Sequence, residues 1–454
     1  MDAEVLVIGG GISGLTCAHY LRKKGIDCLL LEASCSVGGN MQSKREQGFL
    51  LEFGPHTFLA SARDVFELSR DLGLDEHLVC SQPKAADRYL VCKGKAQRAP
   101  KGPLDFLSSP ILPMSAKLRL LCEPFIATKG HSDDSVSRFF QRRFGHKAGS
   151  LFASAATAGV YAGDPDLLSA ASCYPNLWRY EQESGSLIKG LLAEKKAQKR
   201  QIADSSQPQR KGLYSFTHGL GELSVKLGKS LGERVLCSSK VQKIERRLDG
   251  FVIDVNHKRF TAKKLVLATP PQISSLLLKD FMPELAKVLA QIPMVPMVAV
   301  HVGFRKRIDA ISDAFGVIAP RGQNVRTLGV LFPARLFKNR TPEDSGDLFT
   351  AFLGGALDKE AIDLSDEELY QILEKDLESM FPGSIGSLEK PDLLYVKRWQ
   401  HAIPQLNIGH DKILNELDRE LKKCGNLSLC GNYIHGVGIK DAIRSGIDVA
   451  QKII

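Results

Sequence analysis

The sequence lacks a long apolar run. Nowhere do about eighteen apolar residues follow one another, which is close to the length that a helix needs to cross a bilayer. The first strand-like run begins at Glu4, which leaves no room for a signal or transit peptide ahead of it. We therefore expect a cytoplasmic protein that is, at most, peripherally associated with a membrane.

The cysteines form no recognisable pattern. All ten are scattered singly, without a Cys-x-x-Cys pair and without the Cys/His spacing of a zinc site. This argues against a disulfide framework and against a resident metal, and it predicts reduced thiols in the core.

The formal net charge of +10 is not concentrated in one segment. Because the basic residues are spread out and lack an interleaved aromatic motif, nucleic acid is not expected as a partner. An anionic membrane surface or an anionic substrate suits this charge better. With 454 residues and 43% hydrophobic content, the chain has material for about two or three globular domains.

The chain is organised around its first thirty-two residues. An apolar run at 5–8 leads into the G-x-G-x-x-G of residues 9–14, a helical segment that ends at Gly25, and a second apolar run at 28–31 that closes on Glu32. Glycines at these positions allow a tight turn, a close approach of pyrophosphate to the backbone and close helix packing, and an acid at this distance accepts a ribose hydroxyl. The sequence therefore predicts a dinucleotide site.

A second glycine pair, Gly38-Gly39, follows the acid and decides between dinucleotides. It resembles the glycine doublet of the amine-oxidase-like flavoproteins, which favours FAD over NAD. Further along, a Gly-Pro turn presents His56, which is either a residue near the flavin or a turn histidine bonded to backbone. Arg88, in a strand-like segment, is by composition alone a solvated arginine.

The middle of the chain, from about residue 100 to 192, has helical spacing. In the segment 136–144, Arg142 and Arg143 stand among phenylalanines, so this segment either meets a membrane through its apolar and basic residues or packs as an ordinary amphipathic helix. Residues 194–211 have almost no apolar content, which predicts a mobile connection. Ser61 is expected to cap a helix that ends near Gly73.

The second half of the chain returns to the nucleotide-binding sheet. Strands are predicted at 241–244, 251–255 and 265–268, the last of them rejoining the first sheet, and a second sheet is predicted from strands at 297–304, 327–332 and 348–353. A helix over 365–380, capped by Ser365 with Glu368, would cover that sheet. A glycine-rich segment before a final helix from about residue 441 again offers backbone amides to an anion or to the edge of a reduced flavin.

Taken together, these pieces resemble the family of oxygen-dependent protoporphyrinogen oxidases nearly end to end. The glycine motifs are shared by a whole superfamily, whereas the pieces at the level of the family are FFQRRFG (139–145), AGVYAGDP (158–165) and AIPQ (402–405). Two further pieces near the carboxyl terminus also match, GNY (431–433) and GVGIKD (436–441).

The resemblance implies an α/β fold in three lobes: a discontinuous Rossmann-like FAD domain, an inserted α+β substrate domain and a helical lobe that docks on a membrane. The expected bounds are 1–73, 218–275 and 405–454 for the FAD domain, 74–95, 200–217 and 276–404 for the substrate domain, and 96–199 for the helical lobe. Non-covalent FAD would be held by Gly9, Gly10, Gly11, Ile12, Ser13, Gly14, Glu32, Ala33, Gly39, Asn40, Gly54, Pro55, His56, Thr57, Val241, Asn432, Val437, Gly438 and Ile439.

The resemblance also implies a substrate site and a reaction. Arg88 would pair with a substrate propionate, Gly159 would line the pocket, and Ile318, Leu331 and Phe352 would sandwich the macrocycle. The implied activity is the six-electron oxidation of protoporphyrinogen IX with dioxygen as acceptor, carried by the flavin rather than by a catalytic side chain. Expected partners are the membrane surface, a ferrochelatase that receives the product, and a second copy of the chain.

Two other functions are compatible with these residues. Coproporphyrinogen has four propionates where protoporphyrinogen has two, so a pocket for it needs more positive charge than Arg88 alone provides. A binding protein of the GDP-dissociation-inhibitor type shares the fold but does no chemistry. Because Arg88 is the one clear cation among the matched positions, protoporphyrinogen is the predicted substrate.

Overall fold

A computed structural model describes residues 1–130, 133–203, 210–383 and 390–454. Its strands are β1 (Ala3–Ile8), β2 (Cys28–Leu31), β3 (Ser43–Glu46), β4 (Phe49–Glu52), β5 (Phe58–Leu59), β6 (Leu78–Cys80), β7 (Arg88–Cys92), β8 (Lys95–Arg98), β9 (Leu213–Phe216), β10 (Val235–Leu236), β11 (Val241–Arg247), β12 (Gly250–Val255), β13 (Lys258–Leu267), β14 (Met294–Phe304), β15 (Gly316–Ile318), β16 (Gly329–Leu331), β17 (Asp347–Gly354), β18 (Leu393–Pro404) and β19 (Leu427–Leu429).

The α-helices are α1 (Ile12–Lys23), α2 (Arg63–Asp71), α3 (Pro103–Ser108), α4 (Met114–Leu121), α5 (Val136–Phe144), α6 (His146–Val160), α7 (Ala170–Cys173), α8 (Pro175–Ser184), α9 (Leu187–Ala203), α10 (Gly221–Leu231), α11 (Pro271–Leu278), α12 (Pro283–Ala290), α13 (Pro333–Leu336), α14 (Asp366–Met380), α15 (His410–Lys422) and α16 (Ile439–Ile453). No helix in the described ranges is long and apolar enough to span a bilayer.

The first sheet is built on the amino-terminal motif. Its order is β10-β2-β1-β13-β12-β11, with β19 also pairing with β13, and β1 runs parallel to both β2 and β13. Val5, Leu6 and Val7 are fully buried because the sheet is covered on both faces, which is why the strand reads as a continuous apolar run. The predicted return of the strand near residue 265 to this sheet is confirmed.

The second sheet has the order β18-β14-β17-β16-β15-β7-β8. One of its faces carries the buried valines of β14 and is covered by α14. Helix α14 begins with the predicted capping box, in which the Ser365 hydroxyl accepts from the Glu368 amide and the Glu368 carboxylate accepts from the Ser365 amide. Phe53, which directly follows β4, packs on the opposite face against His301 and Tyr395.

Helices α3 to α9 follow one another between β8 and β9 in the chain and pack together as a helical cluster. Helix α5 packs in the interior of this cluster, since Phe139 and Phe140 are buried, Arg143 pairs with Glu123, and Arg142 pairs with Asp134 and Glu181. Of the two interpretations of the 136–144 segment, the packed amphipathic helix is therefore the one observed. These arginines are committed to carboxylates inside the protein.

Two local predictions were wrong. Ser61 does not cap α2, because the residue at the cap position is Ala62 and no side chain bonds the first turn. The predicted mobile connection over 194–211 is instead helical as far as Ala203, because α9 continues through the polar run; residues 204–209 lie outside the described residues. The three-lobe boundaries given above stay a prediction.

Candidate active site

The phosphate-binding loop lies between β1 and α1. Gly11 is the residue before α1 and has an extended backbone, so the first amides of the helix have no capping side chain in front of them. A β-carbon added at Gly11 would have no atom within 4 Å, whereas one added at Gly14 would collide with the Gly9 carbonyl oxygen. The loop is thus closely packed at Gly14 and open at Gly11, and a pyrophosphate would approach from the open side.

The glycine doublet packs directly on this loop. The Gly38 amide donates to the Gly10 carbonyl over 2.8 Å, and Gly11 and Gly38 form a parallel bridge. Gly39 has a φ of +56°, and a β-carbon there would lie 3.1 Å from the Gly11 α-carbon. The doublet and the first loop therefore form one continuous backbone surface, which accounts for glycine at both places.

Glu32 lies at the carboxyl end of β2 beside this surface. One carboxylate oxygen accepts from the Gly10 amide at 2.6 Å and the other from the Ser34 amide at 2.8 Å. The Glu32 carbonyl accepts from the Ser239 amide, so the chain passes beside Glu32 and Ala33 two residues before it enters β11 at Val241. This is the arrangement expected around a ribose and an adenine.

The Gly-Pro turn lies between β4 and β5 and contacts both the segment after the glycine doublet and strand β18. A β-carbon at Gly54 would collide with the backbone carbonyl of Asn40. The side-chain amide of Asn40 donates to the Ala402 carbonyl over 2.9 Å. The Trp399 indole donates to the Phe53 carbonyl over 2.7 Å. These contacts hold the half-buried residues Gly54, Pro55 and Thr57 between β18 and the glycine doublet.

The carboxyl-terminal glycine segment precedes α16. Gly438 is the residue before the helix, so the first amides of α16, beginning at Ile439, also lack a capping side chain. Asn432, Val437, Gly438 and Ile439 are all half-buried. Helix α16 crosses α1 closely, since a β-carbon at Gly446 would collide with the Ser13 carbonyl.

These features suit a bound FAD. The loop offers an open glycine at Gly11, two uncapped helix starts, and a carboxylate placed for a ribose. Asn432 and Thr57, which the sequence analysis assigned to the cofactor, are half-buried polar residues.

Four residues predicted to contact the substrate come from four strands of the second sheet and point to one face of it. Residues that stand opposite each other in neighbouring strands point to the same face of the sheet. The pairing places Ile318, Gly329 and Phe352 in one such row. Arg88, Gly316 and Leu331 form a second row, two residues further along the strands and therefore on the same face. Ile318, Leu331 and Phe352 are half-buried. This face is the one turned towards the Gly-Pro turn.

Arg88 and Gly159 lie at one end of this face. The Arg88 side chain is exposed, and its guanidinium carbon lies 5.2 Å from the centre of the Phe315 ring. Gly159, on α6, approaches the sheet so closely that a β-carbon there would lie 3.3 Å from Ile318. The helical cluster thus closes the end of the face at which Arg88 is found.

His56, in the Gly-Pro turn, packs on this face. Its ring meets Phe352 edge-on with 5.8 Å between ring centres, and neither ring nitrogen has a partner among the described residues. Burial, with the nearby His301 and Arg340, lowers the pKa of His56 to about 3, and burial lowers the pKa of His301 to about 3. Both imidazoles are therefore neutral near pH 7 and add no charge to the site. The structure does not support a backbone-bonded turn histidine at His56.

The sequence analysis missed the residues of β18. Tyr395, Lys397 and Trp399 alternate along this strand and reach the same face as Phe352, and Tyr395 stacks on Phe53 with 5.3 Å between ring centres. The alternation of aromatic and basic residues in YVKRW was the available signal, because every second residue of a strand points to one face.

The sequence is similar to known flavin-dependent oxidoreductases along nearly its whole length. A family model described as flavin containing amine oxidoreductase matches residues 12–454. The chain is similar to the mitochondrial protoporphyrinogen oxidase of Nicotiana tabacum, at 30% identity over 99% of this chain and 94% of the tobacco protein. It is also similar to the coproporphyrinogen III oxidase of Bacillus subtilis (strain 168), at 27% identity over 98% of this chain and 96% of that protein.

A solved structure agrees with this at the level of the fold. The structure of a protein from Exiguobacterium sp. 255-15 superposes with a TM-score of 0.84 and 22% identity, covering 100% of this chain and 99% of that one. The mixed α/β fold described above is therefore shared with known structures.

Proposed function

The chain belongs to the flavin-containing amine oxidoreductases and is therefore an FAD-dependent oxidoreductase, and we propose that it oxidises a porphyrinogen to the porphyrin. The proposal combines the family with the names of two relatives that align over nearly their whole length. A purely non-catalytic binding role on the same fold is not favoured by any residue of the site.

One observation carries the proposal. Ile318, Leu331 and Phe352 lie on one face of the second sheet, and His56, from the loop next to the glycine doublet, packs on Phe352. A broad, mostly apolar face that borders a flavin site is what a flat tetrapyrrole needs.

The residues of this chain bind and orient rather than react. FAD, when bound, accepts two electrons as a hydride. Arg88 would fix the substrate by pairing with a propionate, and the apolar face would exclude water from the reacting methylene carbon. The neutral His56 leaves the approach free of competing charge.

The overall reaction balances with dioxygen as acceptor. Removal of six electrons and six hydrogens from the porphyrinogen takes three cycles, and each cycle reduces one dioxygen to hydrogen peroxide. Two substrates are candidates: protoporphyrinogen, because Arg88 is the one cation among the substrate positions predicted from the sequence, and coproporphyrinogen, because a relative named for it aligns end to end.

The test is turnover by purified protein. After reconstitution with FAD, the protein should show a flavin absorption spectrum and convert at least one of the two porphyrinogens to a fluorescent porphyrin, with hydrogen peroxide formed in a ratio of three to one. A reconstituted flavoprotein that oxidises neither compound would refute the proposal, and a protein that takes up no flavin would favour the binding-protein alternative.

We also propose peripheral attachment to a membrane through the helical cluster, supported by where apolar side chains are exposed. Ten of the nineteen exposed large hydrophobic residues of the described chain fall between residues 104 and 192. Helix α4 contributes Met114, Leu118 and Leu121, each more than half exposed and spaced four and three residues apart, so they form one outward stripe. Such a stripe suits the interface of a bilayer.

This attachment would keep the protein cytoplasmic, at the membrane surface, where an apolar porphyrin product can pass to a ferrochelatase. A ferrochelatase and a second copy of the chain are proposed partners on the strength of the family resemblance alone.

A further inference from the structure

Lys397 lies on the proposed substrate face, at the end opposite to Arg88. In the pairing of β18, β14 and β17, Lys397 stands opposite Ala299, and Ala299 stands opposite Phe352. The three side chains therefore point to the same face. Because alanine is small, nothing in that row separates the lysine side chain from the phenylalanine ring.

The charged end of Lys397 is held by aromatic rings. Its Nζ lies 4.2 Å from the centre of the Trp399 ring and 5.2 Å from the centre of the Phe53 ring. Both rings are fixed, since the Trp399 indole donates to the Phe53 carbonyl. Rings at these distances attract a cation and orient it, but they do not neutralise its charge.

Within the described ranges, no carboxylate pairs with Lys397. Burial lowers the pKa of its ammonium group, and no neighbouring acid opposes that effect. The nearby basic residues differ in this respect, because Lys44 pairs with Glu46, and Arg398 pairs with Asp366 on the α14 side of the sheet. Lys397 is thus a half-buried cation on the substrate face whose charge is left for another group.

We propose that Lys397 is a second anchor for a substrate carboxylate, so that the porphyrinogen bound here carries carboxylates on opposite edges of its macrocycle. This proposal rests on the proposed function. Five strand spacings of about 4.8 Å place the α-carbons of Lys397 and Arg88 roughly 24 Å apart along the sheet, with the apolar residues between them.

The separation of the two cations discriminates between the candidate substrates. Protoporphyrinogen IX carries its two propionates on neighbouring pyrroles at one edge, so it can reach one of the two cations at a time. Coproporphyrinogen III carries a propionate on each of its four pyrroles and can satisfy both. Because bound substrate would cover both cations and a covered cation without a partner is costly, the tetracarboxylate is the substrate that matches this face.

The experiment compares both porphyrinogens on the FAD-reconstituted full chain and three variants. Lys397→Met should raise the KM for coproporphyrinogen about tenfold or more while kcat changes less than about twofold, since a charge-assisted contact to bound substrate is lost. Lys397→Arg should keep most of the affinity. The control Lys375→Met removes an exposed lysine from α14, on the opposite side of the same sheet, and should change nothing.

Three readouts separate the outcomes. Wild-type protein should have the higher kcat/KM for coproporphyrinogen, and Lys397→Met should reduce that preference while its flavin spectrum and its affinity for FAD stay the same. An unchanged KM in Lys397→Met would overturn the anchor although porphyrinogen oxidation stands. A changed affinity for FAD with unchanged KM would also overturn it, because the lysine would then serve the cofactor. Failure of wild-type protein to oxidise either compound refutes the proposed function instead.

If Lys397→Met does not fold, binding of the product gives a separate measurement. Coproporphyrin III should quench the tryptophan fluorescence of wild-type protein at lower concentration than protoporphyrin IX does, and added salt should weaken coproporphyrin binding more strongly. Equal affinity and equal salt dependence of the two porphyrins would overturn the proposal.

Discussion

The carboxylate of Glu123 meets the guanidinium of Arg143 inside the helical cluster, and neither side chain has exposed surface. Glu123 also accepts from the Ser186 hydroxyl at 2.6 Å and from the Leu187 amide at 2.8 Å, at the start of α9. Arg143 in turn donates to the Gly185 carbonyl over 2.8 Å. The pair therefore ties the end of α5 to the turn between α8 and α9, and it fixes the shape of the cluster that closes one end of the substrate face.

Breaking this pair should destabilise the protein. Glu123→Ala leaves the buried guanidinium of Arg143 with only the more distant Glu181 carboxylate, 3.9 Å away, and removing the close partner of a buried pair typically costs about 3–5 kcal/mol. Glu416→Ala is the control, because it breaks an exposed pair with Arg419 that contributes about 0–1 kcal/mol. Urea unfolding followed by circular dichroism would measure both. Equal midpoints for the two variants would contradict the role given to Glu123.

Two glycine substitutions should separate cofactor binding from folding. Gly11→Ala adds a β-carbon that touches no protein atom, so the stability of the protein without FAD should be unchanged. Its affinity for FAD should fall at least tenfold, because the methyl group would stand on the open side of the loop, where the pyrophosphate is expected to approach. Gly14→Ala places a β-carbon against the Gly9 carbonyl and should lower stability itself. Titration with FAD and thermal unfolding without it would measure the two effects. Unchanged FAD affinity in Gly11→Ala would remove the pyrophosphate from this loop.

Glu52 should make stability depend on pH. Burial raises its pKa to about 7, against the hydrogen bonds from the Ser43 hydroxyl and the Leu220 amide and the nearby Arg340, which lower it. The folded protein therefore binds more protons than the unfolded chain between the ordinary pKa of 4.5 and about 7, so stability falls as pH rises through that window and levels off above it. Relative to Glu52→Gln, wild-type protein should lose on the order of 3 kcal/mol across this range. Parallel pH profiles of the two unfolding midpoints would show that Glu52 is not the group responsible.

The first supersecondary unit could be predicted from sequence because its signals are local. The bounds predicted for the second strand coincide with β2, and the capping box of α14 was identified from two residues three positions apart. Strand β18 was not predicted, since one of its faces borders the site and it mixes lysine and aromatics instead of alternating cleanly between apolar and polar residues.

Partners distant in sequence were also beyond local patterns. Arg142 pairs with Glu181 thirty-nine positions away, so its neighbouring phenylalanines suggested a surface segment where the fold has a helix packed on other helices. Lys397 was missed for the same reason, because its place on the substrate face depends on which strands pair with β18. A sequence indicates which residues can carry charge, but the pairing of strands decides which of them face one another.

The outward stripe of α4 supplies the last prediction. The double variant Leu118→Glu with Leu121→Glu should weaken binding to vesicles containing phosphatidylserine by at least about tenfold, because burying one leucine contributes about 1.5–3 kcal/mol and the new carboxylates are repelled by the lipid charge. Both side chains are more than half exposed, so the unfolding midpoint should not fall. Leu248→Glu is the matched control, since Leu248 is fully exposed at the turn between β11 and β12, outside the helical cluster. Co-sedimentation at low and high salt would measure all three proteins. Binding that is lost equally in the control, or retained in the double variant, would mean that α4 is not the surface that meets the membrane.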